Sequence, residues 1–234
     1  MNYKTIIDLI NSHLIRKYRK SYSQCGEDLI VDFIFNALKI NKPTYIDIGA
    51  YHPVHLSNTY YFYKKGSHGV LIEPNPYLYK KIARKRKRDI CLNSGIGTEF
   101  KVKADFYIMS SETLSTFSKE EAERYRQYGN QKIERIIQVP MITINKIIKD
   151  NFTSFPNFIS MDVEGLDFEI LKSFDFNEYR PEIFCIETLT YTENKSEIKL
   201  TDISKIMIDN NYIAYADTYI NTIFVEKNIW ANRQ

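Results

Sequence analysis

Apolar residues recur along this chain in two periods that alternate with one another. Residues 4–18 carry Ile6, Ile7, Ile10 and Leu14 at helical spacing. Leu29, Ile30, Phe33, Ile34, Ala37 and Leu38 repeat that pattern, and Asn41, Lys42 and Pro43 close it. An apolar run then enters 45–53 (YIDIGAYHP), where a buried strand leaves through a tight polar turn. Residues 57–66 read as a helix closed by Gly66, 69–76 (GVLIEPNP) as a buried strand, and 77–88 as a helix. A third strand spans 90–97 with a turn at Asn93 and Ser94, and 100–109 reads as another strand. The hydroxyl-rich loop 110–118 opens a charged helix, with Ser118 and Glu121 spaced as a capping box. Val139-Pro140 reads as a short edge strand, 143–149 as a helix and 158–165 (FISMDVEG) as a second strand-to-turn. A helix packed through Leu166, Ile170, Leu171 and Phe174 leads to the buried strand 182–188 (EIFCIET). A last amphipathic helix, with Leu200, Ile203, Ile206 and Met207, precedes the strands YIAYADT and NTIFVEK.

Strands alternating with helices, then two adjacent strands, predict an α/β fold: a Rossmann-like, doubly wound, mostly parallel sheet ending in an antiparallel hairpin. Residues 1–40 form an N-terminal helical extension and 41–234 one globular unit. A length of 234 residues with 44% hydrophobic and 26% charged positions supports a packed core. The net charge of +3 gives no general polyanion-binding character. Cys25, Cys91 and Cys185 lie far apart, with no CxxC pair, as reduced thiols do. Charges interrupt the N-terminal apolar stripe, and no run approaches the ~20 residues of a membrane helix. These features point to the cytoplasm.

Asp47, Glu73, Asp162, Glu164 and Glu187 all fall where strands end. A doubly wound sheet gathers such residues along one edge, in the crevice where these folds bind ligands. Glu73 follows the first turn by some two dozen positions, the spacing at which α/β nucleotide binders hold ribose hydroxyls. Each acid also has a local explanation, as a helix cap or a partner of turn amides. The acids of 22–28 (YSQCGED) stand at a helix entrance, where capping explains them. The basic run 80–88 reads as a solvated helix face, with a phosphate- or membrane-facing patch as the competing account.

The blocks YSQCGEDLIVDFIF, YIDIGAYHPVHLSNTYYFYKKG, GVLIEPNP, NSGIG and FISMDVEGLDFEILK, in this order and spacing, resemble the FkbM-type methyltransferases. The resemblance runs from about residue 22 to 227 and departs at His52-Pro53. It implies the class I methyltransferase fold, S-adenosylmethionine as cofactor, and O-methylation of a hydroxyl, foremost of a sugar in a glycan or glycoconjugate. Asp47, Gly49 and Ala50 would line the methionine end of the cofactor, Glu73 its ribose, and Asn93 and Ser94 its adenine. Gln24, Ser57 and Thr59 match family positions near the cofactor. Asp162 and Glu164 would lie where the methyl group meets the acceptor.

Such a reaction needs a base for the hydroxyl proton, and Glu164, Asp162, Glu187 or a histidine (His52, His55) could serve. Asp162 and Glu187 could instead hold Mg²⁺ through oxygen, with no third ligand evident. Two other functions share parts of this pattern. An NAD-dependent oxidoreductase would want G-x-G-x-x-G, whereas Gly49 is followed by Ala50, Tyr51 and His52. A nucleic-acid or membrane binder would interleave aromatics with the 80–88 cations, and the run has none. That run would suit the approach of a phosphorylated or lipid-linked glycan, and no nucleic-acid partner is expected.

Overall fold

The computed structural model describes residues 19–99, 102–163, 165–190 and 197–233. The helix predicted over 4–18 lies outside them. In chain order the elements are α1 (Glu27–Ala37), β1 (Tyr45–Ile48), α2 (Tyr60–Lys64), β2 (Gly69–Ile72), α3 (Pro76–Lys85), β3 (Ile90–Leu92), β4 (Gly95–Ile96) and β5 (Ala104–Met109). There follow α4 (Lys119–Tyr128), β6 (Ile133–Val139), β7 (Met141–Ile142), α5 (Ile144–Asn151), β8 (Phe158–Met161), α6 (Asp167–Ser173) and β9 (Ile183–Glu187). The last are α7 (Thr201–Asp209), β10 (Tyr212–Asp217), β11 (Asn221–Glu226) and α8 (Lys227–Ala231).

Seven strands form the main sheet in the order β10-β11-β9-β8-β1-β2-β3. The five strands β3, β2, β1, β8 and β9 run parallel, while β11 is antiparallel to both of its neighbours. This is the predicted doubly wound sheet with its C-terminal hairpin. The chain proceeds from β1 outward to β3, then returns to β8 on the other side of β1. Strand order therefore reverses between β1 and β8, and the carboxyl ends diverge there to leave a crevice.

Strands buried on both faces need apolar side chains at nearly every position, and β1, β2 and β8 are buried throughout. Alternate residues feed two cores. Ile46, Ile48, Phe184, Ile186 and Phe224 pack on one face with α5, α6 and α7. Tyr45, Ile183, Cys185, Ile223 and Val225 pack on the other with α1 and α2. Each fully buried side chain of this size contributes about 1.5–3 kcal/mol, so stability resides in the sheet centre.

Three local expectations change. The helix predicted over 57–66 is confined to Tyr60–Lys64, because Ser57 and Thr59 turn their hydroxyls inward and are buried. Val139 is not a short edge strand but the end of the seven-residue β6, which pairs antiparallel with β5 as a separate ribbon. Its sequence IERIIQV exposes Glu134, Arg135, Ile136 and Gln138, so no period-two pattern betrays it. The capping box at α4 is half formed. The Ser118 hydroxyl accepts from Glu121 N at 3.2 Å, but the Glu121 carboxylate turns to Arg124. Ribbon and helix share a small core of Tyr107, Met109, Leu114, Ala122 and Tyr125. No helix among the described residues is long and apolar enough to cross a membrane.

Candidate active site

The turn after β1 is held by the strand beside it. Gly49 N and Ala50 N both donate to Ile72 O at 3.1 Å. Gly49 has φ +78°, and a Cβ on it would stand 1.9 Å from the carbonyl oxygen of Asp162 at the end of β8. Only glycine lets the two strand ends approach this closely. Glu73, at the tip of β2, clamps the same turn: Tyr51 N donates to its Oε2 and Asn75 N to its Oε1, each at 2.8 Å. Glu73 is 5% exposed. Burial pushes it up to about 7, opposed by those two amides. Asn93 donates its Nδ2 to the carbonyls of Glu73 and Pro74, both at 2.9 Å, and so fixes the strand tip. Ser94 beside it is 9% exposed, and its hydroxyl has no hydrogen-bond partner.

These elements border a cavity of about 530 Å³. Of the predicted site residues, Gln24, Gly49, Glu73, Ser94, Asp162 and Glu187 line it. Ile48, Ile72 and Ile96 form apolar floor, while Phe106 of β5 and Leu114 and Phe117 of the segment after it make a wall whose place in the site the sequence did not disclose. Tyr219 and Asn221 of the C-terminal hairpin reach the same space, held by Glu27, which accepts from Thr218 Oγ1 at 2.8 Å and Asn221 Nδ2 at 3.1 Å. Glu27 thus ties α1 to the hairpin, a role beyond the capping expected of it. Glu164 lies outside the described residues.

Asp47, Ala50, Ser57, Thr59 and Asn93 do not line the cavity. Asp47, Ser57 and Thr59 meet instead beneath the turn, around a residue that the charge pattern hid. Arg86 was expected on a solvated helix face; it is fully buried. The α3 helix ends at Lys85, and the next side chain turns into the protein. Its Nε donates to Asp89 Oδ2 at 2.7 Å, and its Nη2 to Thr59 Oγ1 and Tyr45 OH at 3.0 Å each. Its Nη1 reaches Pro53 O at 3.3 Å and Ser57 Oγ at 3.5 Å. Thr59 in turn donates to Asp47 Oδ2 at 2.6 Å. Burial raises the Asp47 carboxyl, and the Thr59 hydroxyl and then Arg86 oppose that shift. The other cations of the run, Lys80, Arg84, Lys85, Lys87 and Arg88, are exposed, and Lys81 half-buried.

At the opposite rim, the carboxyls of Asp162 and Glu187 share a hydrogen bond, and burial raises Asp162 above the usual carboxylate range. The pair expected as Mg²⁺ ligands gains no third partner: among the described residues no three His, Cys, Asp or Glu side chains converge as a metal site would. Asp167 is buried nearby, with Oδ1 unpartnered and its carboxyl pushed up to about 7 by burial and by Asp162. His52 uses Nδ1 to accept from Val54 N at 3.1 Å and His55 N at 2.9 Å. It braces its own loop, and neither histidine lines the cavity.

The sequence profile of the methyltransferase FkbM domain matches residues 47–214. No curated protein matches the chain. Among solved structures, it is similar to the 1,6-didemethyltoxoflavin N1-methyltransferase of Burkholderia thailandensis with bound S-adenosylhomocysteine: 10% identical, covering 96% of this chain and 89% of that one, TM-score 0.42. It is similar to an O-methyltransferase of Bacillus cereus, 9% identical over 96% and 90% of the two chains, TM-score 0.43. An amino pentose methyltransferase of Micromonospora echinaspora is 8% identical over 93% and 96%, TM-score 0.43.

Proposed function

Because the chain belongs to the FkbM methyltransferase family, we propose that its cavity holds S-adenosylmethionine and directs the methyl group to a hydroxyl of a sugar or glycan acceptor. One observation carries this reading. The Glu73 carboxylate and the unpartnered Ser94 hydroxyl belong to a single cavity beside the glycine turn, at the point where strand order reverses. A volume of about 530 Å³ suits a ligand of that size, within the ~300–1,000 Å³ of small-molecule sites.

Glu73 accepts from the ribose hydroxyls through the lone pairs its two amide donors leave free. Ser94, with Asn93 shaping the strand tip, meets the adenine. Gly49 and Gln24 form the methionine end, with Ala50 behind them shaping the turn. Asp47, Ser57 and Thr59 act one layer below, holding the turn's shape through Arg86. Bound S-adenosylmethionine supplies a methyl group already activated by its sulfonium. The protein's task is then alignment, worth effective molarities of ~10⁵–10⁸ M, and removal of one proton. Asp162 and Glu187, with Glu164 in the same segment, provide the base: the ionised member of the pair accepts the acceptor's proton.

Calorimetric titration with S-adenosylhomocysteine, with NAD as control, tests this directly. One-site binding of the homocysteine nucleoside and none of NAD is the expected result; the reverse would overturn the assignment in favour of an oxidoreductase.

Glu73 gives the binding a pH dependence with a definite sign. Its ordinary value is 4.5 and its buried value about 7. Below 7 a proton occupies a lone pair that a ribose hydroxyl needs, so affinity should rise between pH 6 and 8. Glu73→Gln should abolish that slope and weaken binding roughly tenfold or more. The ligand-free protein should behave oppositely. Stability owed to the raised Glu73 and Asp167 is complete below their ordinary values and is lost as pH rises through about 7. Opposed slopes of affinity and melting temperature over one pH window would identify the group.

A further inference from the structure

The net charge of +3 conceals two unlike regions. Residues 19–98 carry thirteen Lys and Arg against six Asp and Glu, and residues 99–234 carry sixteen against twenty-two. In the first region every acid is withdrawn from the surface: Glu27, Asp28, Asp32, Asp47 and Glu73 are buried, and the Asp89 side chain is fully covered beside Arg86. Eleven of the thirteen cations are exposed. The fold brings them together from separate stretches. Lys64 at the end of α2 donates to the Tyr22 hydroxyl at 2.8 Å, and Lys20 and Lys64 lie over the Tyr22 ring at 5.4 and 5.3 Å. Tyr22 meets Tyr60 edge-on at 4.9 Å, Tyr60 stacks on Tyr63 at 6.0 Å, and Arg88 lies 4.0 Å over Tyr63. Tyr63 also donates to the Lys85 carbonyl at 3.4 Å, and Lys42 Cε lies 3.5 Å from where a Cβ on Gly66 would stand. The run 80–88, with no aromatic of its own, thus gains aromatics in space from α2 and from the segment before α1.

We propose that this face docks on an anionic phospholipid surface. Negative headgroups attract clustered Lys and Arg over about a Debye length, ~10 Å at moderate salt. No exposed carboxylate of the region opposes that attraction. Ring contacts hold Lys20, Lys64 and Arg88 in place beforehand, so docking costs less side-chain ordering than it would for free cations. Nucleic acid is the other common polyanion, but its single strands stack on open rings, and the rings of Tyr22 and Tyr63 are taken by the protein's own cations. The sequence leading into the face agrees with lipid. Before Arg19 it sets Ile6, Ile7, Ile10 and Leu14 at helical spacing, followed by Arg16 and Lys17, the composition of a segment that lies in a bilayer interface. Gln24 lines the cavity two residues beyond Tyr22, so docking brings the cavity close to the headgroups.

The test is sedimentation of the full chain with sucrose-loaded vesicles, of phosphatidylcholine alone or with about one-third phosphatidylserine. It needs no cofactor, so its outcome is independent of the methyltransferase reading. At about 0.1 M salt the anionic vesicles should bind roughly tenfold more tightly than the neutral ones, and about 0.5 M salt should remove the difference. Lys20→Glu/Lys64→Glu/Arg88→Glu should weaken binding to the anionic vesicles roughly tenfold, and the neutralised Lys20→Gln/Lys64→Gln/Arg88→Gln about threefold. Lys146→Glu/Lys149→Glu/Lys205→Glu makes the same change in net charge at exposed positions of α5 and α7, across the sheet, and should bind as the unaltered chain does. Urea midpoints check that each variant folds, and the neutralised triple decides if the reversed one does not. Equal binding to the two vesicles, or equal losses from the two reversed triples, overturns the proposal. So does a single-stranded DNA of about twenty nucleotides bound more tightly than the anionic vesicles at the same salt, which would make the face a nucleic-acid site.

Discussion

Arg86→Ala should lower stability by roughly 3–5 kcal/mol, the loss seen when one partner of a buried charge pair is removed. The guanidinium and its partner Asp89 are both fully buried, 2.7 Å apart. Without it, Asp89 retains the Tyr45 hydroxyl at 2.8 Å and Gly69 N at 2.9 Å but has no countercharge. Pro53 O, Ser57 and Thr59 lose a donor each. Arg86→Lys should recover little, because a point charge cannot serve Asp89, Tyr45, Thr59 and Pro53 from one planar fork. The neighbouring Lys85→Ala, on the exposed face, should change stability by no more than ~0.5 kcal/mol. Urea denaturation midpoints of the three variants decide the matter. If Arg86→Ala and Lys85→Ala unfold together, the buried network has no structural weight.

Gly49→Ala should remove most cofactor affinity, by roughly a hundredfold or more, in protein that still folds. Two effects combine. The φ of +78° is strained for any residue with a Cβ, costing about 1–2 kcal/mol. The added methyl also meets the Asp162 carbonyl at 1.9 Å, and a backbone oxygen cannot rotate away. The end of β8 must shift, taking Asp162 with it. Gly26→Ala is the matched control, since Gly26 has φ +93° but nothing within 4 Å of the added Cβ. It should show the backbone strain alone. Equal losses of S-adenosylhomocysteine affinity in the two variants would show that the strand-end contact does not shape the site.

The sheet was legible because its strands are buried on both faces, and runs such as YIDI, GVLI and FISM then admit few polar residues. The acids at the strand tips stood out for the same reason, as the first charges after an apolar run. Residue identity did not reveal which layer each side chain occupies. Asp47 and Glu73 look alike in sequence, yet one is covered by Thr59 and Arg86 and the other borders the cavity. Arg86 was concealed by its neighbours. In a run of seven cations over nine positions, nothing local marks the one that a helix end turns inward. Of the ribbon, β5 falls within the strand expected over 100–109, but β6 was obscured by its exposure: a strand whose outer face carries Ile136 and whose other positions alternate imperfectly has no periodic signature.

The position of β11 bears on how the protein comes into being. This strand lies between β9 and β10, although both precede it in the chain. During synthesis on the ribosome, β9 and β10 therefore emerge with a gap between them that only residues 221–226 can fill. Until then β9 presents an unpaired apolar edge, and the hairpin residues Tyr219 and Asn221 cannot reach the cavity. Completion of the sheet is a late, long-range event, and nascent chains stalled before residue 221 are the species to expect in aggregates or in the grip of chaperones.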